Sequence, residues 1–297
     1  MFLSEDDVRR LLRMEDLIPA MERAMLELSS GRIVQPLRVV IAVTEHQGFL
    51  GVMPAYGGAL GVKLVTFYPN NRGIHTHHAT ILLFDPQTGV PLCIMDGRLI
   101  TEMRTAAVSA VATKLLARRE AAVLAILGSG VQARSHLEAL RLVCEFREVR
   151  VWSPRNAAAF AGRYGALATS SAEEAVRDAD VVVVATTSQA PVLRGDWLSR
   201  GTHVNAVGAT RPDWRELDDS LLRDARIFVE SREAASRESG DVIAAGKIEA
   251  ELGEILAQKA PGRRSNDEIT LYKSVGVAVE DLFSADLVYR ASLAEQA

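Results

Sequence analysis

VLAILGSGVQA, residues 123–133, is a short apolar run that breaks at Gly128-Ser129-Gly130 and continues with helical spacing. That is the pattern of a strand, a tight turn and a helix that cradles the pyrophosphate of a dinucleotide. Gly128 lets the chain turn off the strand, Gly130 lets backbone approach a phosphate, and the small Ala133 lets the helix pack closely on the strand. The first helical N–H groups, at Val131 and Gln132, carry the positive end of the helix dipole and suit an anion. A glycine pair after a strand also serves as a plain turn, so the surroundings decide.

The next apolar strand, residues 149–152, ends in Ser153-Pro154-Arg155-Asn156. A nucleotide-binding unit for NAD usually presents Asp or Glu at this place, to grip the ribose hydroxyls. A carboxylate would repel a 2′-phosphate, whereas a serine hydroxyl and a planar guanidinium hold one. The segment favours NADP(H) over NAD(H), and the same residues also suit a cap for the following helix.

Further strands at 180–185, 203–207 and 226–229 alternate with helical stretches such as 172–178. This alternation predicts a Rossmann-type, doubly wound parallel sheet over residues 120–275, within an α/β fold. Upstream, Ser4 reads as the N-cap of a helix over 4–30, with Asp7 three residues on. Short β-type runs follow at 37–43, 48–53, 61–67, 80–85 and 91–96, and Asp85-Pro86-Gln87-Thr88-Gly89 reads as a hairpin turn. These predict a smaller, mainly antiparallel α+β domain over residues 1–119 that closes on a helix at 101–119. The helical pattern at 276–290 is expected to pack back on that first domain, in a segment running to 297.

The 297 residues carry 34 basic and 38 acidic side chains, a net −4, and no basic block, so nucleic acid is not an expected partner. The apolar run at 181–185 is far too short to span a bilayer, and the acidic start lacks the order of a secretory signal. Cys93 and Cys144 offer no disulfide framework, and a cytoplasmic location is expected. No Gly-x-Ser-x-Gly elbow or Walker-type loop is present.

Arg38 begins an apolar strand, Lys63 interrupts one, and Arg104 opens an Ala-rich helix. Cations in such settings are costly unless an anion meets them. A substrate carboxylate is one such anion; internal acids, or snorkelling to water, are the alternatives. His75, His77 and His78 invite a metal reading, but no second ligand cluster completes it, and a cofactor-contacting or structural role is preferred. Asp96, and the acids of Glu216-Leu217-Asp218-Asp219, are possible general bases, the latter group more simply a helix cap.

Together, QPLRVVI from Gln35, GVMPAY from Gly51, KLVTFYPNNRG from Lys63, MDGRLITEMRTAAVSA from Met95, LGSGVQARSHLEAL from Leu127, NAVGATRPDWRELDD from Asn205, ESGDV from Glu238, AELGEI from Ala250 and YKSVGVAVED from Tyr272 resemble the ornithine cyclodeaminase and mu-crystallin family over nearly the whole chain. The resemblance is greatest to the mu-crystallin branch, whose members bind NADPH and reduce ketimines to amino acids. It implies a homodimer built through the first domain, with the active site between the domains. It assigns Arg38, Lys63 and Arg104 to the substrate carboxylate and its neighbourhood. It places Thr105, Gly128, Ser129, Gly130, Val131, Gln132, Ser153, Pro154, Arg155, Asn156, Thr186, Val207, Ser274, Val275 and Gly276 around the cofactor, with His77 near the nicotinamide.

One residue departs from part of that family. Cyclodeaminases and some alanine dehydrogenases carry Asp where this chain has Thr210, and a hydroxyl is a poor general base. Ornithine cyclisation is therefore the least favoured activity. The expected activity is NADPH-dependent reduction of small imino acids, cyclic or formed from a 2-oxo acid and an amine, to L-amino acids. The alternatives are an L-amino-acid dehydrogenase of the alanine type and a protein that binds NADPH and a carboxylate without turnover.

Overall fold

Ser4 opens the first helix, α1 (Glu5–Leu11), through a capping box in which its hydroxyl accepts from the Asp7 N–H and the Asp7 carboxylate accepts from the Ser4 N–H. The expected single helix over 4–30 is two, because the chain turns extended at the buried Leu12 before α2 (Met14–Ser29) begins. The break lets each helix bury its own apolar side: Val8 in α1, and Leu17, Met21 and Ala24 in α2.

The computed structural model, which describes residues 1–296, divides into two units: Met1–Arg104 joined by the segment that begins at Val277, and Thr105–Gly276. The first holds a six-stranded sheet of β1 (Phe2–Leu3), β2 (Val39–Val43), β3 (Gly48–Tyr56), β4 (Leu60–Phe67), β5 (His77–Phe84) and β6 (Pro91–Asp96), in the order β1-β6-β5-β4-β3-β2. Pairing is antiparallel except between β1 and β6. The period-2 alternation of strands gives this sheet two unlike faces. Met53, Lys63, Val65, Ile81, Leu83 and Met95 are buried on one of them. The register puts Val39, Ile41, Leu64, Ile94 and Phe2 together on the opposite face, where all five are exposed.

Helix α3 (Arg98–Leu116) carries the chain onward, and the division of the units falls within it, N-terminal to the expected boundary after Arg119. The second unit is built on an eight-stranded sheet. Its strands are β7 (Val123–Leu127), β8 (Glu148–Trp152), β9 (Leu167–Ala168), β10 (Val181–Val184), β11 (His203–Ala206), β12 (Arg226–Val229), β13 (Ala250–Glu251) and β14 (Thr270–Lys273). They run parallel in the order β13-β12-β14-β11-β10-β7-β8-β9. Helices α4 (Val131–Leu140), α5 (Ala157–Tyr164), α6 (Ala172–Val176), α7 (Asp219–Asp224), α8 (Arg232–Glu238), α9 (Gly240–Ala245) and α10 (Leu252–Leu256) connect them. All four residues of β10 are buried valines, as a central parallel strand covered on both faces requires.

The last helix, α11 (Ala278–Ala294), returns to the first unit and packs against α2, β3, β4 and β5. Among the described residues no helix is long and apolar enough to cross a membrane.

Candidate active site

In the first unit the inner face of the antiparallel sheet carries one cation. Lys63 sits in β4 between Met53 of β3 and Ile81 of β5, with its side chain 2 % exposed. Its ammonium lies 2.6 Å from Oδ2 of Asp281, at the start of α11, and 3.5 Å from the Thr101 hydroxyl. The Arg104 guanidinium, from the first turns of α3, donates through Nε to Asp281 Oδ1 at 3.1 Å and through Nη1 to Glu280 Oε2 at 2.5 Å. Both acids occupy the first turn of α11, where the helix dipole favours negative charge. Sequence reasoning left open which anion meets these cations, and the structure supplies two internal ones. The segment GVAVED carried the signal for Glu280 and Asp281, but an acid pair that opens a helix reads as an ordinary N-terminal turn.

The electrostatics follow from this packing. Burial disfavours the charged form of Lys63 and lowers its pKa to about 8, with the charges of Arg104 and Arg38 adding to the fall and Asp281 opposing it. Burial acts the other way on Asp281, but Lys63 and Arg104 overcome it and hold the carboxyl below its ordinary range. Arg38, half-buried in the residue before β2, is near enough for its charge to register on Lys63. His77, at the start of β5, is pushed to about 4 by burial and by the charges of Lys63 and Arg104, so it is a neutral imidazole at pH 7. The structure thus brings Lys63, Arg104, Arg38 and His77 into one electrostatic neighbourhood, with Asp281 at its centre.

In the second unit the turn after β7 has the geometry a dinucleotide needs. Gly128 has φ +118°, and a Cβ there would run into the Ala185 carbonyl, so both the turn and the approach of the neighbouring strand demand glycine. Gly130 is the N-cap of α4, with no side-chain cap, and a Cβ on it would meet nothing within 4 Å. Buried beside it, Gln132 Oε1 has no hydrogen-bond partner among the described residues. Open N–H groups and room above a glycine fit a bound pyrophosphate. Ala133 is fully buried against the sheet, and Val131 is exposed.

Ser129 and Ser153 join the glycine turn to the end of β8 by a 2.9 Å hydroxyl bond, and Ser153 Oγ also accepts from the Asn156 N–H. Pro154, Arg155 and Asn156 are exposed, and Arg155 forms no ion pair among the described residues. Thr186 follows β10, while Val207 and Thr210 follow β11, Val207 buried and Thr210 exposed. Ser274, Val275 and Gly276 follow β14 and are buried, their hydroxyl and N–H groups donating to Glu230. Thr105 is buried on α3. Every one of these positions except Thr105 lies just beyond the carboxyl end of a parallel strand, which is where open α/β sheets bind ligands.

Two of the acids named as possible bases prove to be caps. Asp96 Oδ1 accepts from the Arg98 and Leu99 N–H groups that open α3, and Asp218 caps α7. Glu216 does something else: it is fully buried and its Oε1 accepts from both the N–H and the hydroxyl of Thr186. The His75–His78 run is mostly exposed, with His78 Nε2 2.9 Å from the His75 carbonyl, and no group of three or more His, Cys, Asp or Glu among the described residues is placed to hold a metal.

Known proteins resemble this chain over nearly its whole length. Mouse (Mus musculus) ketimine reductase mu-crystallin is 49% identical over 97% of this chain and 96% of its own length. The solved Thermococcus litoralis Δ1-pyrroline-2-carboxylate reductase, in complex with NADH and L-proline, superposes with a TM-score of 0.95 at 42% identity, over 100% of this chain and 98% of that one. An archaeal alanine dehydrogenase dimer with bound NAD gives 0.95 at 35% identity, over 100% and 97%. Residues 1–296 match the family description as a whole, and the chain belongs to the ornithine cyclodeaminase/mu-crystallin family.

Proposed function

We propose that this protein is an NAD(P)H-dependent oxidoreductase that reduces small imino acids to L-amino acids. The observation that carries the reading is the buried Lys63, its pKa lowered to about 8 within a cluster of Arg104, Asp281 and Glu280. Such a group holds its proton at pH 7 and releases it readily, as a general acid should. Arg38 and Arg104 hold the substrate carboxylate, with Arg104 shared between that anion and its internal acids. When bound, a reduced nicotinamide cofactor would supply the hydride that reduction of a C=N bond requires. Lys63 holds the proton that the nitrogen needs, so C=N gains one hydride and one proton and becomes CH–NH. Neutral His77 neither repels the imine nor competes for its carboxylate. The mammalian ketimine reductase and the archaeal pyrroline-2-carboxylate reductase support this choice of substrate class.

The second unit supplies the nucleotide site. The exposed Arg155 and the serine pair at 129 and 153 support NADPH as the preferred form, against the NADH and NAD bound in the structural relatives. The open apolar face of Val39, Ile41, Leu64, Ile94 and Phe2 supports a homodimer seated on the antiparallel sheet, and one relative is a dimer. Two free cysteines suit the cytoplasm.

The test is oxidation of NADPH, followed by absorbance, with Δ1-pyrroline-2-carboxylate and Δ1-piperideine-2-carboxylate. Turnover is expected without ammonia; no oxidation across a broad imine panel rejects the activity. The alanine dehydrogenase relative favours a second reading, reductive amination of a 2-oxo acid, which an absolute ammonia requirement would identify.

A further inference from the structure

A buried polar ring lies beneath the ends of β10, β11 and β14. Glu216, Asp241 and Lys273 are each fully buried. Glu216 Oε1 accepts from the Thr186 N–H at 3.0 Å and from the Thr186 hydroxyl at 2.5 Å. Asp241 Oδ1 accepts from the N–H groups of Glu216 and Leu217, each at 3.1 Å, which fixes the backbone that carries the glutamate. Lys273, the last residue of β14, donates to the Gly208 carbonyl and stands 3.5 Å from Asp241 Oδ2. The ring closes at Gly208, where any Cβ would collide with the Glu216 carboxylate.

Burying three ionisable groups is expensive unless they fix something. What they fix is visible in the backbone. Ala209, next to Gly208, has φ +50° without being glycine, a strained conformation that persists only when its surroundings over-determine it. The ring lies on the side of β7 away from β8. In a doubly wound sheet the adenosine half of a dinucleotide lies toward β8, so the nicotinamide half lies over β10 and β11.

Resting on the nucleotide reading above, we propose that Glu216 is a positioning residue for the nicotinamide half of the cofactor: it ties Thr186 to the 207–210 loop, so that both strand ends present a fixed surface to the ring. The carboxyl needs no contact with the cofactor to do this. Its Oε2, buried and without a hydrogen-bond partner among the described residues, fits a carboxyl that burial drives toward its protonated form, against the pull of Lys273.

The test compares two ligands on the whole protein. One is NADPH; the other is 2′-phospho-ADP-ribose, which keeps the adenosine half and lacks the nicotinamide. Replacing Glu216→Ala is expected to weaken NADPH at least tenfold and to remove the fluorescence gain of an immobilised nicotinamide. Affinity for 2′-phospho-ADP-ribose should stay within about twofold, and Glu216→Gln, which keeps the acceptor for Thr186, should restore most of the NADPH affinity. If the alanine variant does not fold, Thr186→Val, which removes the hydroxyl partner alone, is expected to show the same split at smaller size. Equal weakening of both ligands, or unchanged NADPH binding, overturns the proposal. Binding is read without turnover, so a wild type that binds NADPH but reduces no imine defeats the proposed function and leaves this result standing. A wild type that binds no nicotinamide nucleotide defeats both.

Discussion

Asp281→Asn isolates the charge that holds Lys63. The two charged atoms are 2.6 Å apart, and at an effective dielectric of ~20 unit charges at that separation attract by about 6 kcal/mol. Asparagine keeps the shape, and its carbonyl dipole keeps part of the attraction. Losing about a quarter of it, ~1.4 kcal/mol, lowers the Lys63 pKa by about one unit, from about 8 in the wild type. If Lys63 is the acid, kcat/KM for an imine falls as pH rises through its pKa, and this limb moves down by about one unit or more in the variant. Stability gives an independent reading with its own sign. A base whose folded pKa lies below its unfolded one binds fewer protons folded, so its contribution to stability rises with pH between about 8 and 10.5. The variant extends that rise to lower pH, and near neutrality it is less stable, because Lys63 and Arg104 lose a buried anionic partner. The assays are the pH profile of NADPH oxidation and thermal unfolding from pH 6 to about 10. A limb that stays near 8 in Asp281→Asn removes Lys63 as the proton donor.

Arg104→Ala strands Glu280 and Asp281 as well as weakening the carboxylate site, so kcat/KM should fall by orders of magnitude and the melting temperature should drop; Arg104→Lys should recover stability more than activity, because it lacks the planar fork. Arg155→Asp should shift preference from NADPH toward NADH in steady-state kinetics, and an unchanged ratio would show that the phosphate is read elsewhere. Gly128→Ala should lose about 1–3 kcal/mol or more in chemical denaturation, from positive φ and the clash with Ala185. Ile41→Glu, on the open sheet face, should convert a dimer to a monomer in analytical ultracentrifugation; a dimer that persists places the interface elsewhere.

The parallel unit was legible where its strands are pure apolar runs, as at 123–127 and 181–184. It was illegible at β14, whose TLYK places a threonine and a lysine at buried positions. Those polar groups are satisfied internally, Thr270 by His203 and Leu116 and Lys273 by Gly208, so the strand lacks the hydrophobic signature that marks its neighbours. The cations of the site announced themselves by interrupting apolar patterns. Their acids did not, because Glu280 and Asp281 sit where acids normally open helices, and only the return of α11 brings them to Lys63. Glu216 was visible only as one of an acid run that reads as a helix cap, because it stands three residues from the start of a helix that Asp218 caps.

That return also orders events in time. Lys63 enters the sheet early in the chain, while Asp281 leaves the ribosome more than two hundred residues later. The parallel unit, complete at Gly276, is free to fold during synthesis, whereas the antiparallel one must wait with an unneutralised ammonium on its inner face. Nascent chains stopped short of α11 should therefore expose that sheet to chaperones and proteases.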